Sequence, residues 1–159
     1  MFFTKINSVN IDADVYFRGE RVGIVKKYKY LGIIIDSTLS FKDHVKKVCN
    51  NLRFTLSNFR HLRNHMSTQA ARMYLFSLIL SHINYCLPTW SNANSTTLSP
   101  VISLYKQAVK VLDKKPIRYH QCPVLEKHRL LSWDNLVFFK NCCLMYKIRN
   151  STPTTYQFN

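Results

Sequence analysis

The chain has 159 residues, 23 of them Lys or Arg and 8 Asp or Glu, giving a formal charge of +15. Its 47% hydrophobic and 13% aromatic content is a folding composition. Charge of that size on a folded body attracts polyanions, which puts nucleic acid, or an anionic membrane surface, ahead of any small-molecule substrate. Three glycines, Gly19, Gly23 and Gly32, exclude a dinucleotide fingerprint and a P-loop, and no apolar run reaches the roughly 18 residues of a membrane span.

Residues 1–36 read as strands. Phe2 to Ile6 is a short apolar run, Val15 to Phe17 a second, and Gly19-Glu20 a turn before Val22 to Val25. The run from Tyr28 to Ile35, YKYLGIII, is rich in β-branched and aromatic residues, and Gly32 in its middle predicts a bulge or a close backbone approach. A small antiparallel sheet or pair of hairpins accounts for the region. Asp36 closes the run and reads as a cap on the following turn.

At Ser40 the hydrophobic period changes. Ser40 and Asp43 form a shortened capping box, after which Phe41, Val45, Val48, Leu52, Leu56, Phe59 and Leu62 recur at spacings of three or four. Lys42, Lys46, Lys47, Arg53, Arg60 and Arg63 lie between them, so this is a long amphipathic helix with a basic outer face, ending near Asn64 and His65. Ser67 caps a second helix from Thr68 to about Tyr85 that is apolar almost all round, which predicts burial on more than one side. Pro88 and the stretch from Ser91 to Thr97 form a loop. A third helix starts near Thr97 with Pro100 in its first turn and runs through Val101, Tyr105, Ala108 and Leu112, with Lys106 and Lys110 outside. Asp113 to Pro123 is a basic loop, and a last helix covers Trp133 to Ile148, with Pro153 preventing its extension. The expected class is α+β, mostly α: a short antiparallel β-hairpin region followed by a bundle of about four helices in one domain.

Residues able to carry catalysis are scarce. Asp12 and Asp14 alternate in NIDAD, which reads as a solvated turn; His61 and His65 have helical spacing but no third ligand, and His120 and Cys122 are isolated. Cys49, Cys86, Cys122, Cys142 and Cys143 contain no Cys-x-x-Cys pair and follow no secretory signal, so reduced thiols in an intracellular chain are expected. In that setting the glycosylation matches at Asn94 and Asn150 are coincidental. No cofactor, metal or catalytic residue is predicted. The constellation with chemical content is Lys26, Lys27 and Lys29 interleaved with Tyr28 and Tyr30, beside the cationic face of the first long helix: cations for phosphates and aromatics for stacking or packing.

The order of these pieces resembles one family. KYKYLGIIIDSTLSFKDHV, a long basic helix, MYLFSLILSHINYCLPTW, a helix with LYKQAVKVL, and the closing LLSWDNLVFFKNCCLMYKIRNSTP are similar to the segment after the catalytic motifs in reverse transcriptases of non-LTR (LINE-type, jockey-like) retrotransposons. MFFTKIN at the start looks like the strand leading out of the preceding palm motif. The resemblance implies palm-end and primer-grip strands over 1–36, a thumb-like helical region over 37–112 and a C-terminal loop and helix over 113–159. It implies Tyr30, Leu31 and Gly32 at the primer-grip turn, Lys29 facing the primer backbone, and Lys42, Lys46, Lys47 and Arg53 near a template–primer duplex. The family's catalytic Asp-Asp turn has no counterpart, since no Asp-Asp pair occurs in the sequence. The implied function is non-specific binding of an RNA–DNA or DNA duplex without polymerisation, by a truncated frame that begins at an internal methionine. The alternative is a domesticated helical module that binds a protein through exposed apolar surface.

Overall fold

The structure, a computed structural model, describes residues 16–23 and 25–150. The strand expected over Phe2 to Ile6, the Asp12 and Asp14 pair and the stop at Pro153 lie outside the described residues.

Two tight turns organise the strands. Arg18-Gly19 joins β1 (Tyr16–Phe17) to β2 (Glu20–Arg21), and Leu31-Gly32 joins β3 (Lys27–Tyr30) to β4 (Ile33–Asp36), each pair antiparallel. Both residues of each turn have positive φ, 52° and 82° in the first and 45° and 86° in the second, as a two-residue I′ hairpin requires. The run from Tyr28 to Ile35 is therefore two strands folded about Leu31-Gly32, with Tyr30 opposite Ile33, and not one strand bulged at Gly32. Val22, Gly23 and Val25 lie outside any strand, because the β1–β2 ladder closes at Arg21.

Asp36 ties the second hairpin to the helices. Its carboxylate accepts from the amides of Thr38 (3.0 Å), Ser40 (3.0 Å) and Phe41 (2.8 Å) and from the Thr38 and Ser40 hydroxyls. The turn cap read from the sequence is thus present, but the Ser40 capping box is not. The chain enters α1 (Lys42–Leu62) through Phe41 at φ 54° without a side-chain cap, and the Ser40 hydroxyl reaches the Lys42 amide only at 3.5 Å. Burial alone would raise the Asp36 carboxyl, but the hydrogen bonds outweigh it and lower it from 3.8 to about 2. The folded-state value is the lower one, so this stabilisation is present above about pH 4 and is lost as pH falls toward 2. Discounted for partial exposure, it contributes about 1 kcal/mol. Asp36→Asn is expected to lose that stability at neutral pH and to flatten the acid limb of the unfolding profile between about pH 4 and 2. An acid limb identical to wild type would contradict the assignment.

The second helix is continuous but not uniform. α2 (Thr68–Tyr74) passes through a π-helical stretch (Leu75–Leu80) into α3 (Ser81–Asn84), and Ser67 caps it as predicted, accepting from the Ala70 amide at 3.2 Å. The wider π turn lets Leu75, Ile79 and Leu80 all face the core. Its burial is one-sided, contrary to expectation: Met73, Phe76 and Leu78 are exposed, because the neighbouring helices pack on only one flank. The short helix α4 (Leu87–Trp90) takes in Pro88, where a loop was expected, and α6 (Cys122–Lys127) begins at the end of the loop expected over Asp113 to Pro123; neither is long enough to show a period. α5 (Ser95–Leu112) begins before Thr97 and puts Pro100 in its second turn, leaving the Thr96 carbonyl without its helical donor. α7 (Trp133–Asn150) spans the predicted last helix.

α1 and α5 run parallel and in direct contact, and the 68–84 segment returns across both. Tyr74 stacks on Phe59 (4.8 Å between centroids) and donates to the Thr55 carbonyl, while Arg60 and Arg63 near the end of α1 reach Gln107 and Leu112 near the end of α5. Val45, Val48, Leu52, Leu56 and Phe59 point into this core as their spacing predicts. Arg63 does not belong to the outer basic face. It lies in a 3-10 turn (Arg63–His65) that rolls it inward, and its guanidinium donates to the Leu112 (2.9 Å) and Met66 (3.0 Å) carbonyls, where the negative end of α5 favours a cation. Trp90, fully buried, joins the layers: its ring meets His44 edge to face at 5.9 Å and Trp133 of α7 at 6.2 Å.

Candidate nucleic-acid interface

α-Helical residues advance by about 100° each, so Lys42, Lys46, Arg53 and Arg60 fall within one narrow stripe of α1, and Lys47 lies on the opposite flank. The fold gives the two flanks different neighbours. Lys42, Lys46 and Arg53 line a groove of about 370 Å³ against the start of α5, together with Thr96, Thr97 and Pro100. Among the described residues no Asp or Glu lines it. Lys42 and Lys46 have no ion-pair partner among the described residues, and Arg53 donates to the Asn50 side chain at 2.9 Å. Cys49 forms part of the groove, but burial pushes its thiol up against the opposing pull of Arg53, so it stays protonated and supplies no nucleophile. The parallel arrangement of α1 and α5 also points both positive helix ends toward this side of the body.

The other flank holds the hairpin. Lys47 donates to the Gly32 carbonyl at 3.3 Å, and the Tyr85 hydroxyl donates to the Leu31 carbonyl, so both turn carbonyls are engaged by the helical body. A Cβ at Gly32 would meet Tyr85 Cε1 at 3.7 Å, an ordinary contact; the positive φ, not crowding by another backbone, is what calls for glycine. Beneath the turn, the His44 Nδ1 accepts from the Ile34 amide at 3.4 Å, and burial, with Lys47 adding to it, holds the imidazole below its ordinary value. This flank is a tether between hairpin and helices.

β3 presents its side chains to solvent on both faces. Tyr28 and Tyr30 share one face with Ile35 and Ile33, and Lys27 and Lys29 the other. Tyr30 is 57% and Leu31 71% exposed, so the aromatics of YKYLG are surface and not core. Lys27 pairs with Asp43 in the first turn of α1, which holds its ammonium above the ordinary range and removes it from the free cations. Lys29 is exposed and has no ion-pair partner among the described residues.

The eight residues singled out by sequence thus divide three ways. Lys42, Lys46 and Arg53 converge in one groove; Lys29, Tyr30 and Leu31 sit at the exposed hairpin tip; Gly32 and Lys47 are joined to each other in the tether. Sequence reasoning missed Tyr85, which clamps the turn, and Thr96 and Thr97, which complete the groove. Only the parallel packing of α5 on α1 brings those threonines near the cations, and no spacing in the chain signals it. Among the described residues no three His, Cys, Asp or Glu converge, and no helix is long and apolar enough to cross a membrane. The chain matches no family model, no curated protein and no solved structure.

Proposed function

We propose that the chain is a nucleic-acid grip of the kind found beside the catalytic centre of the reverse transcriptases it resembles: it holds an RNA–DNA or DNA duplex by its phosphates, without reading sequence and without polymerising alone. The observation that carries this reading is the groove in which Lys42, Lys46 and Arg53 converge, lined by no acid among the described residues. Cations so placed bind phosphates electrostatically, and such contacts position a duplex but carry no base information. The exposed tyrosines beside Lys29 add flat surfaces for a terminal base or sugar. Two-metal phosphoryl transfer requires converging carboxylates, and the sequence holds no Asp-Asp pair to begin such a set.

Fluorescence anisotropy with RNA–DNA hybrids of unrelated sequence, at about 50 mM salt, tests the proposal. Dissociation constants equal within about threefold are expected from backbone contacts alone. Absence of binding, or strong preference for one sequence, would overturn it.

The alternative, a protein-interaction module, is favoured by a different observation. The outer half of α7 exposes Phe138 (71%), Met145 (65%) and Tyr146 (70%), and α2 with its π-helical extension exposes Met73 and Phe76. Exposed apolar surface of this kind marks partner sites. Strong binding of a hydrophobe-sensing dye, together with no duplex binding, would favour this reading.

A further inference from the structure

The cationic stripe of α1 does not stop at Arg53. One helical turn pair beyond it stands Arg60, which donates to Gln107 of α5 at 2.6 Å and lines a second cavity, of about 230 Å³, with Lys110, Lys115 and Ile117. Among the described residues no Asp or Glu lines this cavity either. It lies on the same α1–α5 seam as the first groove, at the opposite end. Lys115 makes a long ion pair with Asp113 at 3.9 Å and stands over the Tyr119 ring at 5.0 Å, while Lys127 (2.6 Å) and His128 (3.2 Å) hold the same carboxylate more closely. Lys110 donates to the Ile117 carbonyl at 2.6 Å, which holds its ammonium at the cavity while leaving its other protons available.

We infer that the α1–α5 seam is one continuous phosphate track, in which Arg60, Lys110 and Lys115 take nucleic-acid phosphates at the far end from Lys42, Lys46 and Arg53. This rests on the nucleic-acid reading above and extends it away from the hairpin. From Lys42 to Arg60 the helix rises about 27 Å, about eight axial phosphate spacings of a duplex, over which one strand winds most of a turn. A straight seam of that length crosses the duplex backbone near its two ends, which puts one cationic cluster at each crossing, and the hairpin tip stands off it on the other flank of α1.

Two variants with equal loss of charge separate a track from a diffuse field. One replaces Arg60, Lys110 and Lys115 by Gln; the other replaces Arg72, Arg129 and Lys140, which line neither cavity, by Gln. Binding to an RNA–DNA hybrid at about 0.1 M salt is expected to weaken about 30-fold or more in the seam variant and less than about fivefold in the other. Equal weakening would overturn the track while leaving duplex binding intact, whereas failure of the wild-type chain to bind would overturn the underlying reading itself. Because Arg60 and Lys110 also make hydrogen bonds within the fold, acetylation footprinting of the wild-type chain gives a second measurement. Bound duplex is expected to protect Lys42, Lys46, Lys110 and Lys115 and to leave Lys140 reactive; unprotected Lys110 and Lys115 would contradict the inference.

Discussion

Replacing Lys42, Lys46 and Arg53 together by alanine is expected to lower duplex affinity by about 100-fold at about 0.1 M salt, and to reduce the slope of log K against log salt by about 3. All three side chains are exposed and on one groove, so their removal takes away the proposed phosphate contacts without opening the core. Stability should change by no more than about 0.5 kcal/mol per site, as for surface substitutions without buried partners. Lys47→Ala is the informative contrast. Lys47 is spent on the Gly32 carbonyl, so its loss should loosen the hairpin more than it weakens the duplex contact. Equilibrium binding and urea unfolding on the same preparations check both statements. A triple variant that binds as tightly as wild type would remove the groove from the interface.

Trp90→Ala is expected to cost about 3 to 5 kcal/mol, the range for deleting a large buried aromatic. The indole is fully buried, its Nε1 donates to the Tyr85 carbonyl at 3.0 Å, and its ring touches His44 of α1 and Trp133 of α7. Tyr85 is the residue that clamps the Leu31-Gly32 turn, so Trp90 supports the hairpin through one intermediate. Against a typical total of about 5 to 15 kcal/mol, such a loss brings the chain close to unfolding at ambient temperature. Urea denaturation followed by far-ultraviolet circular dichroism measures it. Trp90→Phe keeps most of the ring contacts and should recover most of the stability; equal losses for the two would show that volume at this position matters less than the indole N–H.

The parts of this fold that could be read from sequence are those governed by one local period. The stripe from Phe41 to Leu62, the Ser67 cap and the extent of α7 follow from side-chain spacing and cap chemistry, and each is present except that Leu62, at the end of the stripe, is exposed. The Leu31-Gly32 turn could not be read from residue preferences. Leucine rarely adopts positive φ, and YKYLGIII carries no Asn-Gly or Asp-Gly signal, so β propensity favoured a single strand. The family resemblance implied a turn there, on grounds of likeness and not of propensity. The cationic positions on α1 were also legible, but their roles were not. Lys42 and Lys47 are both solvated helix cations in sequence, and only the packing of α5 on one flank and the hairpin on the other separates a groove residue from a tether. Arg63 failed for the same reason: the end of α1 and the carbonyl terminus of α5, distant in sequence, together decide that it turns inward.

The central claim is that the +15 charge is organised for phosphate contact. The measurement closest to it is the salt dependence of duplex binding by the wild-type chain. Log K is predicted to fall linearly with log salt at a slope of about −5 to −6, as expected if the six cations along the α1–α5 seam displace counterions. A slope near zero, or binding undetectable at about 50 mM salt, would contradict the account.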